Sequence, residues 1–393
     1  MKVLLLTETL LPGGAETFVI RLANALTGHA DVTVAVLHGE LIERQLAAHL
    51  SEAVRLRTLT IPVKRSLLKA ESASVRLGLG WSPVRHLATR WLRRLLEEER
   101  PDVLHSHLFK ADLVAAQAVA SARTRPAHVL TVHGDYPSFL SGRADPRLPG
   151  FRRRMADLFG KVAGVAIISP RHLELLKTCL AVPERKLRTI YNGYVPPTSG
   201  FANKTRRDLG LPEGKFLFGM VSRGVDKKGW REAIAAYQQL NRSEAALILV
   251  GEGPAIAALR REGVPEGVLL AGFSASPVEY VQHFDVGLLP TLFPHETLPT
   301  VVAEYLYCSK PVIATDVGEI GAMIQGESEL AGRLLPFDGE RIRIDELSGA
   351  MRELFDDQRL TQNLGRVAVQ ASAKFDMDRC ARAYLDLYRS SAT

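Results

Sequence analysis

Short runs of apolar residues recur along the first half of the chain, separated by segments of helix length. The runs that are typical of buried strands are Lys2–Thr7, Val32–Leu37, Val103–His105, Val129–Val132, Val165–Ile168 and Arg188–Tyr191. A helical pattern over Ala15–Leu26 follows the first run. Strands that alternate with helices indicate a parallel sheet covered on both faces, so we predict an α/β fold.

A turn-rich segment at 192–200 interrupts this alternation, and the alternation then restarts. Strands are predicted at Phe216–Val221, Ala246–Val250, Val268–Leu270, Val286–Pro290, Val312–Thr315 and Gly332–Leu335. We therefore predict two doubly wound, Rossmann-like domains, at 1–195 and 196–377. The final helix, 378–393, is expected to pack back onto the first domain. Facing carboxyl edges of the two sheets would form a ligand cleft.

The length of 393 residues exceeds what one hydrophobic core usually serves, in agreement with two domains. Three widely separated cysteines, Cys179, Cys308 and Cys380, form no CxxC pair, which favours a reducing compartment and disfavours a cysteine-based zinc site. The first eight residues are too short and too soon charged for a signal peptide. No run of about 18 apolar residues indicates a membrane span. We expect a cytoplasmic protein.

Positive charge is concentrated in the first half of the chain. Residues 1–200 contain 28 Lys and Arg against 17 Asp and Glu, a net charge of +11, whereas 201–393 contain 22 against 26, a net charge of −4. Residues 51–100 interleave basic residues with Leu and Trp, so we expect peripheral attachment to the anionic inner face of the cytoplasmic membrane. The alternative is a solvated helix face over a core stripe. No nucleic-acid motif accompanies the charge, so no nucleic-acid partner is expected.

Two carboxylates, Glu296 and Glu304, have seven residues between them and straddle a predicted helix start. Pro299 marks the expected first turn of that helix. Free N–H groups of a first turn form an anion site that suits a diphosphate, with one carboxylate free to meet ribose and the other a sugar. The intervening residues that would line the donor are Thr297, Leu298, Pro299 and Thr300. The alternative is two solvated glutamates flanking a helix.

Basic residues Arg223 and Lys228 follow a predicted strand and precede a helix. A guanidinium offers a planar fork and an ammonium a point charge, which together neutralise a departing nucleoside diphosphate. A solvated basic turn is the alternative, but the position at the carboxyl end of a strand favours the diphosphate site.

Glycines also follow two predicted strands. Gly13 and Gly14 lie between the first strand and first helix, where a phosphate or acceptor can approach the backbone closely. Gly251 begins a glycine-rich turn in the second domain, but Ile256 holds the third glycine position of the dinucleotide fingerprint. Nicotinamide chemistry is therefore disfavoured.

His133 follows a predicted strand and is expected to project from its end, where it can donate to a sugar hydroxyl or position an acceptor. A lone histidine is more often structural. His105 and His107 with His133 resemble a metal-ligand set only if the strand pairing is regular. Asp376 and Asp378 have the DxD form of a metal-binding motif, but their place before the last helix favours a capping role.

These motifs together resemble the retaining GT-B glycosyltransferases of family 4. The resemblance covers nearly the whole chain and rests on these residues in this order: Gly13-Gly14-Ala15-Glu16, Thr131-Val132-His133-Gly134, Ile190-Tyr191-Asn192-Gly193, Arg223, Lys228, Gly251-Glu252-Gly253, Glu296 and Glu304. It implies that Glu296 contacts the transferred sugar and Glu304 the ribose. It also implies that Arg223 and Lys228 hold the diphosphate, and that no metal or other cofactor is needed.

The implied activity is transfer of a hexosyl-type sugar from UDP or GDP to a saccharide or lipid-linked acceptor, in the synthesis of a cell-surface polysaccharide or lipopolysaccharide. Catalytic roles would fall on Glu296, His133, Arg223 and Lys228. The chain departs from the family where Thr297 replaces a common glycine and where the usual Gly-Gly-x-x-Glu loop reads Gly318-Glu319-Ile320-Gly321-Ala322. Two alternatives stay open, a nucleotide-sugar epimerase and a non-catalytic subunit that binds nucleotide sugars.

Overall fold

A computed structural model describes residues 1–61, 66–67, 82–134, 151–195, 204–294 and 296–392 of the chain. The chain forms two compact units. Unit 1 comprises Met1–Tyr194 together with Asp376–Thr393, and unit 2 comprises Val195–Phe375. Each unit is built on a parallel sheet with helices packed against it. The predicted α/β class with two Rossmann-like sheets is confirmed.

Strands and helices alternate along both units. The strands of unit 1 are β1 (Lys2–Thr7), β2 (Asp31–Val36), β3 (Arg55–Thr58), β4 (Val103–His107), β5 (Ala127–Val132), β6 (Gly164–Ile167) and β7 (Leu187–Thr189). The helices between them are α1 (Gly14–Leu26), α2 (Arg44–Ala47), α3 (Pro83–Glu99), α4 (Phe109–Ser121), α5 (Phe151–Lys161) and α6 (Pro170–Leu180).

In unit 2 the strands are β8 (Phe216–Val221), β9 (Ala245–Val250), β10 (Val268–Gly272), β11 (Val286–Leu289), β12 (Val312–Thr315) and β13 (Gly332–Leu335). Its helices are α7 (Trp230–Leu240), α8 (Pro254–Glu262), α9 (Val278–Val281), α10 (Thr300–Tyr307), α11 (Ile320–Ile324), α12 (Ile344–Asp356) and α13 (Gln358–Ser372). Helix α14 (Met377–Ala392) then belongs to unit 1. Short 3-10 helices occur at Glu184–Lys186, Asp226–Lys228 and Ala373–Phe375.

The strand order of each sheet reverses at one point. The seven-stranded sheet of unit 1 has the order β3-β2-β1-β4-β5-β6-β7, and the six-stranded sheet of unit 2 has the order β10-β9-β8-β11-β12-β13. The reversal lies between β1 and β4 in unit 1 and between β8 and β11 in unit 2. Ligands of open parallel sheets bind beside the carboxyl ends of the strands at such a reversal. These two places are where functional side chains are expected.

Helix α14 completes the core of unit 1. The side chains of Tyr384 and Tyr388 are fully buried in the same apolar cluster as Phe18 of α1. Tyr388 Oη lies 2.7 Å from Nδ1 of His105, and Tyr384 Oη lies 2.9 Å from Oγ1 of Thr131. Because a buried hydroxyl is costly without a hydrogen-bond partner, these two contacts fix the position of α14 against β4 and β5.

The described part of the basic segment 51–100 contains a strand that the sequence pattern did not predict. This strand, β3, lies at the edge of the sheet and pairs with β2. Its Arg57 forms an ion pair with Glu99 at 2.9 Å. In α3, Leu92 and Leu96 are fully buried in a cluster with β1 and β4, whereas Leu87 is 40% exposed. Most of the apolar face of α3 is thus a core stripe.

Four apolar residues on which the membrane prediction relied, Leu68, Leu77, Leu79 and Trp81, lie outside the described residues. Among the helices that the structure describes, none combines the length and the apolar composition needed to cross a membrane.

Candidate functional site

The loops that follow β8 and β11 lie side by side, because these strands are neighbours at the reversal of strand order in unit 2. Arg223 and Lys228 follow β8, and Glu296 follows β11. The main chain joins the two loops, since Leu292 N donates to Lys227 O at 2.8 Å. The site residues predicted from two distant stretches of sequence therefore meet at one sheet edge.

Lys228 and Glu296 form a buried ion pair. Nζ of Lys228 donates to Oε1 of Glu296, and the two side chains are 11% and 9% exposed. Thr291 Oγ1 donates a second hydrogen bond to the same oxygen, at 2.9 Å. Enclosing a carboxylate is costly unless it is paired and hydrogen-bonded. The lysine and the threonine hydroxyl together offset that cost.

A tight turn positions Lys228. The residue ends the 3-10 helix Asp226–Lys228, and Gly229 follows in the left-handed conformation with φ of 83°. A β-carbon at position 229 would lie 1.7 Å from Pro290 O, so glycine is required both for the backbone angle and for the contact with the loop after β11. Trp230 then donates Nε1 to Arg223 O at 3.1 Å, which closes the loop.

The main chain of Glu296 is held by the loop after β12. Glu319 N donates to Glu296 O at 2.9 Å. Gly318 has a φ of 58°, and a β-carbon there would lie 1.6 Å from that same oxygen. The departure from the family pattern at 318–322 therefore lies directly against Glu296, and three loops of unit 2 determine where this carboxylate lies.

Arg223 is exposed, and within the part of the chain that the structure describes its guanidinium makes no hydrogen bond or ion pair. Gly251 packs against Ser222, the residue before Arg223, because a β-carbon at position 251 would lie 2.0 Å from Ser222 O. Gly251 thus supports the end of β8. The guanidinium of Arg223 can bind an anion.

Helix α10 begins one residue later than predicted. Its first residue is Thr300, and Pro299 is the N-cap, with φ of −64° and ψ of 112°, instead of a first-turn residue. An extended ψ is normal for a residue that flanks a helix start. Thr297 and Leu298 are half-buried and Thr300 is exposed, whereas Glu304 is buried within α10 at 9% exposure.

Three histidines lie near the carboxyl ends of β4 and β5 in unit 1. His133 follows β5, and its Nε2 lies 2.9 Å from Nδ1 of His107. The rings of His105 and His107 are 4.0 Å apart between centroids. Burial lowers the pKa of His133 to about 3 and holds the pKa of His105 and His107 well below 6.5. All three rings are therefore neutral near neutral pH, and one ring of the 107–133 pair donates to the other.

The glycines after β1 have different surroundings. Gly13 is the N-cap of α1, and a β-carbon there would lie 2.4 Å from Oε2 of Glu16. The other oxygen of that carboxylate accepts from Thr9 Oγ1 at 3.1 Å. Around Gly14, apart from its chain neighbours and its own helix backbone, no atom of the described residues lies within 4 Å of the β-carbon position. A phosphate that approaches Gly13 meets a carboxylate, whereas the space beside Gly14 is open.

Asp376 is a helix cap, as its sequence position indicates. Its Oδ1 accepts from Arg379 N at 2.7 Å, at the start of α14. Across the described ranges, no group of three His, Cys, Asp or Glu side chains has an arrangement suited to a metal ion.

Sequence reasoning missed Thr291, which is fully buried and bonded to Glu296. The only signal in the sequence was a small polar residue two positions after a strand. It also missed Tyr384 and Tyr388, since their partners are more than 250 residues away, at separations of 253 and 283 residues.

Two family models match the sequence. The model described as Glycosyltransferase Family 4 matches residues 12–196, and the model described as Glycosyl transferases group 1 matches residues 215–357. Together they extend over most of both units.

Individual proteins are similar as well. A putative teichuronic acid biosynthesis glycosyltransferase of Bacillus subtilis is 29% identical over 271 residues, which are 67% of this chain and 65% of that protein. An N,N'-diacetylbacillosaminyl-diphospho-undecaprenol alpha-1,3-N-acetylgalactosaminyltransferase of Campylobacter jejuni is 28% identical over 174 residues, 43% of each chain. The chain thus matches less than two thirds of the length of these relatives. The fold is also similar to that in the crystal structure of HepE from Anabaena in complex with UDP, with a TM-score of 0.74. The two sequences are 21% identical, and the match covers 98% of this chain and 99% of that one.

Proposed function

Because this chain belongs to glycosyltransferase family 4 and has the GT-B fold, we propose that it moves a hexosyl-type sugar from UDP or GDP to a saccharide or lipid-linked acceptor, with retained configuration. The observation that carries this proposal is the pairing of Lys228 with Glu296 at the strand reversal of unit 2. A cation suited to a diphosphate and a carboxylate suited to sugar hydroxyls meet there, where parallel sheets bind ligands.

The donor's diphosphate is proposed to bind Arg223, Lys228 and the free N–H groups at the start of α10. These groups stabilise the negative charge that develops on the leaving nucleoside diphosphate. Glu304 accepts hydrogen bonds from the ribose, and Glu296 accepts them from the transferred sugar. Thr297 lies next to Glu296 and contributes to the choice of sugar.

The acceptor is proposed to bind unit 1. Neutral His133 can donate to or accept from a sugar hydroxyl, and Gly14 leaves room for a ligand close to the backbone. The acceptor oxygen attacks the anomeric carbon on the face from which the diphosphate leaves. The bond from that carbon to the diphosphate oxygen breaks, and the acceptor proton passes to the leaving phosphate. No side chain serves as nucleophile, and no metal is required.

The relatives suggest a role in cell-surface polysaccharide synthesis. The Bacillus subtilis protein is named for teichuronic acid biosynthesis, and the Campylobacter jejuni protein for transfer to a sugar on diphospho-undecaprenol. A lipid-linked acceptor agrees with the proposed attachment of segment 51–100 to the inner face of the cytoplasmic membrane. In α3 the exposed residues Leu87, Arg90 and Arg94 are suited to that surface. Failure to bind anionic vesicles at low salt would remove the membrane proposal.

A donor panel tests the enzymatic proposal. The protein is incubated with UDP-glucose, UDP-N-acetylglucosamine, UDP-galactose and GDP-mannose, and release of the nucleoside diphosphate is measured with and without saccharide acceptors. Release stimulated by an acceptor, with EDTA present, supports metal-independent transfer. Isomerised donor sugar would indicate an epimerase instead. Donor binding without either product would indicate a non-catalytic subunit.

A further inference from the structure

The two carboxylate oxygens of Glu296 have different surroundings. Oε1 accepts hydrogen bonds from Lys228 Nζ and from Thr291 Oγ1. Among the described residues, no donor forms a hydrogen bond to Oε2. The protein therefore uses one oxygen of this carboxylate, and the other has capacity for a ligand hydroxyl.

Thr291 is firmly placed at the carboxyl end of β11. Its N–H donates to Leu289 O at 2.9 Å, and its Oγ1 accepts from Phe293 N at 3.2 Å. The hydroxyl has a single proton to donate. Lys227 O is one acceptor within reach, at 3.2 Å, but Oε1 of Glu296 is nearer at 2.9 Å and is charged. The bond to the carboxylate is therefore the stronger one.

We propose that Thr291 is a positioning residue that holds Glu296 for the donor sugar. The inference rests on the proposed function, in which Lys228 also binds the diphosphate. A lysine that turns toward a diphosphate gives up part of its contact with Oε1. Thr291 stays in place, since its short side chain is fully buried and its main chain is bonded to β11. Its hydroxyl keeps Oε1 occupied and thereby directs Oε2 toward the sugar.

A positioning role and a merely structural role of Thr291 predict different effects on the binding of two ligands, the free nucleoside diphosphate and the nucleotide sugar. The nucleoside diphosphate lacks the sugar that Glu296 contacts, so a misplaced Glu296 weakens binding of the nucleotide sugar more than it changes binding of the free diphosphate. General damage to unit 2 would weaken the binding of both ligands to the same extent. The ratio of the two dissociation constants therefore separates these roles, and it requires no turnover.

The test compares Thr291→Val, which removes the hydroxyl at nearly constant volume, with Thr291→Ser, which restores it. Thr361→Val is the matched control, because Thr361 is also buried and its hydroxyl donates to Leu354 O instead of to Glu296. For each protein, calorimetry gives the dissociation constants of UDP and UDP-glucose, or of GDP and GDP-mannose if the wild type prefers guanosine. Donor kcat and KM are measured in parallel.

We expect Thr291→Val to weaken binding of the nucleotide sugar about 10-fold relative to binding of the free diphosphate, in line with loss of a hydrogen bond to a charged group. The kcat should fall by a similar or larger factor. Thr291→Ser should recover most of both, and Thr361→Val should match the wild type. An unchanged ratio in Thr291→Val, or a serine variant as impaired as the valine variant, overturns the proposal. A wild type that binds the donor without transferring it overturns the proposed activity alone, because the ratio still tests Thr291. A wild type that binds none of these ligands overturns both.

Discussion

Glu296 and Lys228 neutralise each other at the carboxyl edge of the second sheet, where their side chains are 9% and 11% exposed. A diphosphate that binds Lys228 competes with Glu296 for the same cation. We therefore expect Glu296→Gln to bind free UDP or GDP at least as tightly as the wild type. Turnover should fall about 100-fold, because a contact to the reacting sugar is lost. Calorimetry and donor kinetics measure the two effects.

Glu304→Gln is the matched comparison for Glu296→Gln, because it removes the charge of the other carboxylate, Glu304. Its proposed partner is the ribose, which the free nucleoside diphosphate still carries, so this variant should bind free UDP or GDP more weakly by about 10-fold. Equal losses of diphosphate affinity in the two variants would refute the division of labour between Glu296 and Glu304.

Lys228→Met should lower kcat more than it lowers diphosphate affinity. The ammonium stabilises charge that grows as the diphosphate departs, so its effect is larger in the transition state than in the bound ground state. We expect a fall of about 100-fold in kcat and about 10-fold in affinity. The neighbouring Lys227 is exposed and provides the control, Lys227→Met. Unchanged turnover in Lys228→Met would show that the cation plays no part in the chemistry.

The histidines near β4 and β5 predict how stability depends on pH. Burial lowers the pKa of His133 to about 3 from 6.5, so below pH 6.5 the unfolded chain binds a proton that the folded chain does not. The contribution to stability is complete above pH 6.5 and is lost as the pH falls toward 3. Between about pH 7.5 and pH 5.5 the loss is about 1.4 kcal/mol for one such ring.

His133→Asn should therefore lose about 1.4 kcal/mol less than the wild type over that interval, as measured by urea unfolding at the two pH values. His29→Asn removes an exposed ring and serves as the control. Identical pH dependence in the wild type and His133→Asn would contradict a His133 that is neutral in the folded chain.

Gly229→Ala should destabilise unit 2 and displace Lys228. The new methyl group would meet Pro290 O, and the backbone has a φ of 83°, so the loops after β8 and β11 must separate. We expect a loss of about 2 kcal/mol or more in the free energy of unfolding and a marked fall in turnover. Gly349→Ala is the control, since among the described residues no atom outside its own helix backbone and chain neighbours lies within 4 Å of its β-carbon position. Wild-type stability in Gly229→Ala would show that the two loops move apart at little cost.

The sequence pattern identifies most strands because buried parallel strands are continuous apolar runs, as in β1 and β9. It misses β3, because an edge strand needs few apolar residues, and Arg55–Thr58 is only partly buried. The approximate start of α10 is visible from Pro299, but not whether the proline precedes or begins the helix. That distinction depends on the ψ of Pro299, which the surrounding loops decide.

The candidate site is predictable only in part. Charged residues after β8 and β11 indicate chemistry by their types and positions. Their pairing in space depends on the strand order, which places β11 next to β8 although two strands come between them in sequence. The role of Thr291 is invisible for the same reason, because a hydroxyl's partner is set by tertiary packing. In segment 51–100, a basic and apolar composition does not reveal that Leu92 and Leu96 face a sheet.

Helix α14 carries a consequence for biosynthesis. Its tyrosines, Tyr384 and Tyr388, lie in the core of unit 1, yet the ribosome makes them after all of unit 2. A nascent chain usually folds its domains in order from the N-terminus. In this protein, Phe18 and its neighbours in unit 1 stay uncovered until α14 has been synthesised. Unit 1 can therefore complete its core only after unit 2 has been translated, and a chain that ends before residue 377 would lack α14, which covers Phe18 and its neighbours.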